Sequence, residues 1–102
     1  MNGPKDGSSY VGQMDNGLFD GFGVYSYEPE SVYQRYEGSW VKDKQEGTGT
    51  LYWKNGEKYI GHFRDDKMHG LGIKISSRGH IIHHGQWNEE CFIGKSEERN
   101  LL

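Results

Sequence analysis

Alanine, the residue on which helices are most readily built, is absent from this chain of 102 residues. Cysteine occurs once, at Cys91. A single thiol closes no internal disulfide, so a small secreted scaffold stapled by bridges is disfavoured and a reducing compartment fits better. No apolar run approaches the roughly 20 residues that a membrane-spanning helix needs. The start shows neither a signal-peptide pattern nor the glycine at position two that myristoylation requires, so the expected location is cytoplasmic. Leu, Ile, Val and Phe are scarce, at 5, 6, 4 and 4 residues, which leaves little material for a thick core and excludes a large enzyme.

What is present points elsewhere. A net charge of −3 is too small, and an aromatic content of 14% too rich, for a typical disordered chain. The 16 glycines and 7 tyrosines suit strands and turns. The composition reads as one small all-β domain.

Glycine weakens a strand, yet the stretch Gly47-Thr-Gly-Thr-Leu-Tyr-Trp places it at alternate positions in segments otherwise written for strands. Self-similarity accounts for this. Tyr10-Val-Gly-Gln-Met, Tyr36-Glu-Gly-Ser-Trp, Tyr59-Ile-Gly-His-Phe and His83-His-Gly-Gln-Trp repeat a ring, a glycine and a large apolar residue. Further glycines follow at Gly21, Gly47, Gly70 and Gly94, and again two positions later at Gly23, Gly49 and Gly72. Flexible linkers would not keep such register.

Side chains alternate between the two faces of a strand, so folding each block as a hairpin predicts a row Gly12, Gly23, Gly38, Gly49, Gly61, Gly72, Gly85 across the sheet. One flank is Tyr10, Tyr25, Tyr36, Leu51, Tyr59, Lys74, His83. The other is Met14, Gly21, Trp40, Gly47, Phe63, Gly70, Trp87, with Trp40 paired to Gly47 within its own hairpin. Lys54-Asn55-Gly56 suits a three-residue hairpin loop with glycine in the left-handed position. A sheet without a second layer buries apolar area by laying its own rings over positions that lack a side chain. Burying a ring is worth roughly 1.5–3 kcal/mol, against roughly 0.5–1 kcal/mol of entropy for each glycine. The glycines are expected to seat the rings.

These blocks resemble the MORN repeat (membrane occupation and recognition nexus), whose usual unit reads Tyr-x-Gly-x-Trp, six residues, then Gly-x-Gly. The resemblance spans about residues 10 to 96, with departures at Met14, at the longer connection Glu28–Tyr33, at His83 and at Ser96. It implies a single-layer twisted antiparallel sheet of successive β-hairpins, with about three full repeats and a partial fourth whose atypical ends look like caps. Residues 1–9 read as a flexible lead. Residues 97–102 read as a frayed tail, with a weak helix-start signal at Ser96.

Catalytic and cofactor chemistry finds no purchase here. The segments Gly21-Phe-Gly, Gly47-Thr-Gly and Gly70-Leu-Gly lack the third glycine or the Gly-Lys-Ser/Thr ending of a phosphate loop, and sit inside expected strands. In His80-Ile-Ile-His-His, His83 faces away from His80 and His84, which are roughly 13 Å apart at about 3.3 Å per residue. Such histidines do not converge on a metal. Cys91 has no base beside it in sequence. The expectation is no enzyme, no metal and no cofactor.

Residues 10–32 carry Asp15, Asp20, Glu28 and Glu30 without a Lys or Arg, whereas residues 50–85 hold six Lys or Arg and all five histidines. The basic residues are scattered rather than clustered, which disfavours nucleic acid. It also weighs against the alternative reading suggested by the family's name, binding of anionic phosphoinositide head groups, which polybasic clusters normally drive. The leading expectation is a protein partner, a helix or extended peptide laid on a groove lined by Tyr25, Tyr36, Trp40, Tyr59, Phe63 and Trp87. The opposite face is also partly apolar, at Phe22, Val24, Ile60, Leu71, Ile73 and Ile75, so the choice of face stays open. By resemblance alone, small chains made of these repeats suggest scaffold components of the cytoskeleton or of a cilium, flagellum or axoneme. A monomer and an end-to-end homodimer through open strand edges are both compatible with the sequence.

Overall fold

The computed structural model describes residues 7–94. Eight strands follow one another: β1 (Ser9–Asp15), β2 (Leu18–Ser26), β3 (Tyr33–Val41), β4 (Lys44–Trp53), β5 (Lys58–Arg64), β6 (Lys67–Ile75), β7 (Ile81–Asn88) and β8 (Cys91–Gly94). They form one open antiparallel sheet in which spatial order is sequence order. Its extents are 52 × 28 × 17 Å. All eight strands belong to that one sheet, so among the described residues no second sheet packs against it.

The expected glycine row is present. Gly12 faces Gly23, which faces Gly38, and the row continues through Gly49, Gly61 and Gly72 to Gly85. On it lie the tyrosines. The Tyr36 ring covers Gly38 and Gly49, Tyr59 covers Gly61 and Gly72, and Tyr10 covers Gly12 and Gly23, so that a Cβ at Gly23, Gly49 or Gly72 would overlap ring atoms. Each hydroxyl then donates to the carbonyl three residues on, Tyr10 to Gln13 at 2.7 Å, Tyr36 to Ser39 at 2.9 Å and Tyr59 to His62 at 2.9 Å. A buried phenol thus keeps its hydrogen bond while its ring lies flat on the backbone. The tryptophans add a second recurring bond, from Trp40 Nε1 to the Gly23 carbonyl and from Trp87 Nε1 to the Gly72 carbonyl, both 3.2 Å.

Rings of successive repeats meet edge to face. Centroid separations are 5.2 Å for Trp40 and Tyr36, 4.8 Å for Tyr36 and Phe63, 5.2 Å for Phe63 and Tyr59, and 5.0 Å for Tyr59 and Trp87. These residues, with Leu51 and Met68, are the buried core. Both ends deviate as their sequences do. At the first repeat, where Met14 replaces the aromatic, Tyr10 stacks on Phe19 at 3.7 Å. At the last, His83 takes the tyrosine's place and stacks on Phe92 at 4.5 Å, and its buried Nδ1 has no hydrogen-bond partner among the described residues.

One part of the expected register is corrected. Trp40 pairs with Gln45 rather than Gly47, Phe63 with Met68 rather than Gly70, Met14 with Phe19 rather than Gly21, and Trp87 with Phe92. The cause is the turn. Each hairpin zips to a two-residue turn in which both residues have positive φ: Asn16-Gly17, Lys42-Asp43, Asp65-Asp66 and Glu89-Glu90, the type I′ geometry that matches strand twist. The surplus residues go into a bulge, where Gly21, Gly47 and Gly70 take φ of 103°, 88° and 85°. Between repeats these glycines do face the next large ring, Gly21 opposite Trp40, Gly47 opposite Phe63 and Gly70 opposite Trp87.

Lys42, Glu89 and Glu90 are poor residues for positive φ, and aspartate adopts it less readily than glycine; contacts between repeats offset that cost. The N–H groups of Asp43, Asp66 and Glu90 donate to the carbonyls of Phe19, Gln45 and Met68 at 2.9, 3.1 and 3.0 Å. In return, Asp43 Oδ1 accepts the Phe19 N–H at 2.7 Å and Asp66 Oδ1 the Gln45 N–H at 2.9 Å. The three-residue connection Lys54-Asn55-Gly56 has the expected left-handed glycine, φ 97°. Lys54 also fastens the longer β2–β3 connection, its Nζ donating to the carbonyls of Glu28, Pro29 and Ser31 at 2.9, 2.8 and 2.7 Å. At the N-terminal boundary Ser8 is buried and β1 begins at Ser9. Ser96 and residues 97–102 lie outside the described residues.

Two outcomes follow from the seated rings. Gly72→Ala drives a methyl into the Tyr59 ring and is expected to destabilise the fold by about 3 kcal/mol, the upper part of the overpacking range. Gly79→Asn keeps a residue that tolerates the left-handed region at a position with open space around it (φ 90°), and should change stability by less than about 0.5 kcal/mol; urea denaturation compares the two. Burial also pushes the Tyr59 hydroxyl up to about 12 and that of Tyr36 further up. Because these raised values favour the protonated folded state, their contribution is whole below about pH 10 and is lost as pH rises from about 10 towards 12. Circular dichroism should therefore show alkaline unfolding in that window, together with tyrosinate absorbance.

Candidate functional site

The two faces of the sheet differ in what they leave open. On the ring face, Tyr36 and Tyr59 are 0% exposed, Phe63 3%, and Trp40 and Trp87 4%. These five of the six rings assigned to a partner groove are thus core first, and offer a visitor almost no area of their own. Tyr25, the sixth, is half-buried, and it begins a second line of half-buried rings: Tyr25 to Tyr27 at 4.8 Å, Tyr27 to Tyr33 at 5.3 Å and Tyr33 to Trp53 at 5.6 Å. Lys74, which replaces an aromatic in the tyrosine row, sets its Nζ 4.3 Å from the Trp53 ring centre and 3.5 Å from Glu57.

Where the two lines of rings diverge there is a groove of about 390 Å³. Phe19, Tyr25, Tyr27 and Trp40 form its aromatic lining, while Asp43, Gln45 and Asp66 supply the polar groups. Its walls are held by the contacts already described. Trp40 is fixed by its indole bond to Gly23, and Phe19 and Gln45 by the turn aspartates. Gln45 Nε2 also donates to the Tyr27 hydroxyl at 2.8 Å. Burial pushes that hydroxyl up to about 12, with the Gln45 bond acting the other way and Asp66 adding to the rise. Tyr27 is therefore a neutral phenol across the physiological range.

Negative charge collects along this rim. Asp66 raises Tyr27 and Tyr36, Asp43 raises Tyr10, and Glu90 raises Tyr59 and Tyr33, in each case after the larger effect of burial. The Glu90 carboxyl is itself raised by burial, with Lys67 lowering it and Asp66 raising it. Only Tyr25 and Trp40 of this groove were singled out from sequence. A usable signal existed: an acidic residue stands seven positions after the first residue of three blocks, at Asp43, Asp66 and Glu90, with Gly17 in the first.

The opposite face carries several of the exposed apolar side chains, among them Phe22 59%, Leu71 51% and Ile60 42%. Phe22 and Ile60 flank a shallow depression of about 420 Å³ floored by Gly38, Gly49 and Gly61. Leu71 borders another of about 410 Å³ together with His62, Arg64 and His69. Arg64 Nη1 lies 3.3 Å from His69 Nε2. Arg35 lies over the Tyr52 ring at 3.8 Å and pairs with Glu37 at 2.6 Å. Cys91, the first residue of β8, is exposed.

The model of the MORN repeat matches three times, at residues 10–31, 36–58 and 59–81. The fourth hairpin, β7–β8, lies beyond those matches except for its first residue, Ile81. Alsin from Mus musculus is 34% identical over 88 residues, covering 80% of this chain, and Alsin from Homo sapiens matches equally. The ALS2 C-terminal-like protein of Homo sapiens is 40% identical over 40 residues, 39% of this chain. The chain spans only 5% of the length of Alsin and 4% of that of the ALS2 C-terminal-like protein. Matched three times by the repeat model and folded as its hairpins, the chain belongs to the MORN-repeat family.

Proposed function

We propose that this chain is a non-catalytic interaction module that holds a helix or extended segment of a protein partner across its ring face. Repeats of this family are in general protein- or membrane-interaction modules. The observation that carries the reading is the groove of about 390 Å³, an open aromatic hollow on a rigid sheet with polar groups at its rim. Tyr25 makes the direct aromatic contact, and the nearly buried Trp40 closes the groove behind it. Tyr36, Tyr59, Phe63 and Trp87 act through the shape they impose on the surface. By family resemblance, the module serves as a scaffold subunit in the cytoplasm, in a cytoskeletal or ciliary assembly. Among the described residues β1 and β8 are the outermost strands of the sheet, and they are where a second copy would pair end to end.

Phospholipid binding is the second reading, and the opposite face is where it would act, since Leu71 there lies beside Arg64, His62 and His69.

Proximity labelling with the full chain identifies partners and compartment together, and a purified partner then permits a direct comparison. Tyr25→Ser should weaken capture about tenfold, as expected for loss of one aromatic anchor. Phe22→Ser, exposed on the other face, should leave capture unchanged. The reverse pattern, in variants with unaltered melting temperature, would move the docking surface to the opposite face. Salt-sensitive pelleting with phosphoinositide vesicles, lost in Arg64→Gln, would favour lipid.

A further inference from the structure

We infer that the hollow between Trp40 and the carboxylates of Asp43 and Asp66 receives an arginine side chain of the protein partner. This rests on the interaction-module reading and names the chemistry the partner must bring.

At two places on this sheet a carboxylate beside an aromatic ring is matched by a cation of the chain itself: Arg35 lies over Tyr52 and pairs with Glu37, and Lys74 lies over Trp53 and pairs with Glu57. The hollow ringed by Phe19, Tyr25 and Trp40 likewise sets Asp43 and Asp66 beside rings. Among the described residues no Lys or Arg pairs with Asp43 or Asp66; the other ion pair, from Lys44, goes to Asp65. Each aspartate spends Oδ1 on a backbone N–H, of Phe19 and of Gln45, and a carboxylate has further lone pairs to offer.

Nor does the fold require the charge. An asparagine would accept the same N–H bond and tolerates positive φ at least as well, and both aspartates stand at φ 72°. Two acids therefore hold positions where a neutral residue would serve the hairpin. A cation is the complementary occupant, and arginine suits the place better than lysine. Its planar guanidinium stacks on a ring while donating two parallel N–H bonds to a carboxylate, and it sheds water more readily.

The test uses the full ¹⁵N-labelled chain and the probe acetyl-Ser-Gly-Leu-Arg-Leu-Gly-Ser-amide, with citrulline, an uncharged isostere, replacing arginine in a control peptide. The arginine peptide should shift the Trp40 indole N–H and the Phe19 and Gln45 amides saturably, while the Trp87 indole stays in place. The citrulline peptide should bind about tenfold more weakly, the loss expected for one charge-assisted pair. Asp43→Asn with Asp66→Asn should cause a similar loss with the melting temperature kept; the peptide comparison on the unaltered chain stands even if that variant is unstable. Equal binding of the two peptides at these resonances overturns the arginine site yet leaves the ring face as a docking surface. Shifts confined to Ile60 and Leu71 overturn both. No shift at about 5 mM peptide, weaker than a useful subsite, overturns the inference, as does a dimer abolished by the double asparagine variant, which would make the occupant a second copy.

Discussion

Everything in this molecule depends on a tyrosine ring lying flat on two glycines of neighbouring strands. The contact needs three conditions at once: no side chain on either strand beneath the ring, a period-2 offset between tyrosine and glycine, and a carbonyl placed to accept the hydroxyl. Meeting them turns a sheet without a second layer into one with an interior. Each ring shields backbone hydrogen bonds beneath it, and the edge-to-face contacts along the row join one repeat's shield to the next. Aromatic pairs of this kind add about 0.5–1.5 kcal/mol beyond area burial, which favours a connected row over isolated hairpins.

A sheet one layer thick has no separate core and surface. The rings that stabilise the array also line its groove face, so burial and recognition compete for the same atoms. The structure divides them. Tyr36, Tyr59, Phe63 and Trp87 are committed to burial, and the half-buried Tyr25, Tyr27 and Phe19 stand over them with faces still open. Trp40 joins the two sets, since its indole is tied to the Gly23 carbonyl while its edge borders the groove.

The register between repeats was legible because it follows from alternation alone: once the tyrosines and glycines are aligned, pairs such as Gly49 and Gly61 or Leu51 and Tyr59 admit no other face. Inside each repeat the same alternation holds for pairs such as Gly38 with Gly49 and Tyr36 with Leu51, and only the pairs on the turn side of the bulge were not legible. Six residues between Trp40 and Gly47 suggest an open loop, and nothing in Lys42-Asp43 announces a type I′ turn, which usually calls on Asn-Gly. The turn forms because its N–H groups find carbonyls in the preceding repeat, a partner more than twenty positions away in sequence. Local propensity cannot report such a contact. The same holds for the groove, where Tyr27, just past the end of β2, meets Gln45 on β4; its acidic members were visible as a recurrence but carried no meaning until the turns stacked.

The stacking also sets a period for anything lying along the array. Asp43, Asp66 and Glu90 stand at equivalent turn positions two strands apart, so successive carboxylates recur about every 10 Å at the normal spacing of strands. An extended chain in the polyproline II form advances about 3.1 Å per residue with three residues per turn, and meets one repeat at every third side chain. A helix rises 1.5 Å per residue and needs about seven, close to two turns, to return the same face to the next repeat. Carboxylates at this spacing repel weakly, since it is comparable to the Debye length of about 8 Å at physiological salt, and the rise of Glu90 beside Asp66 records that repulsion together with burial. A basic segment with either period would relieve it at each step. The bonds that hold one repeat against the next therefore also fix where along the sheet a partner's charges must fall.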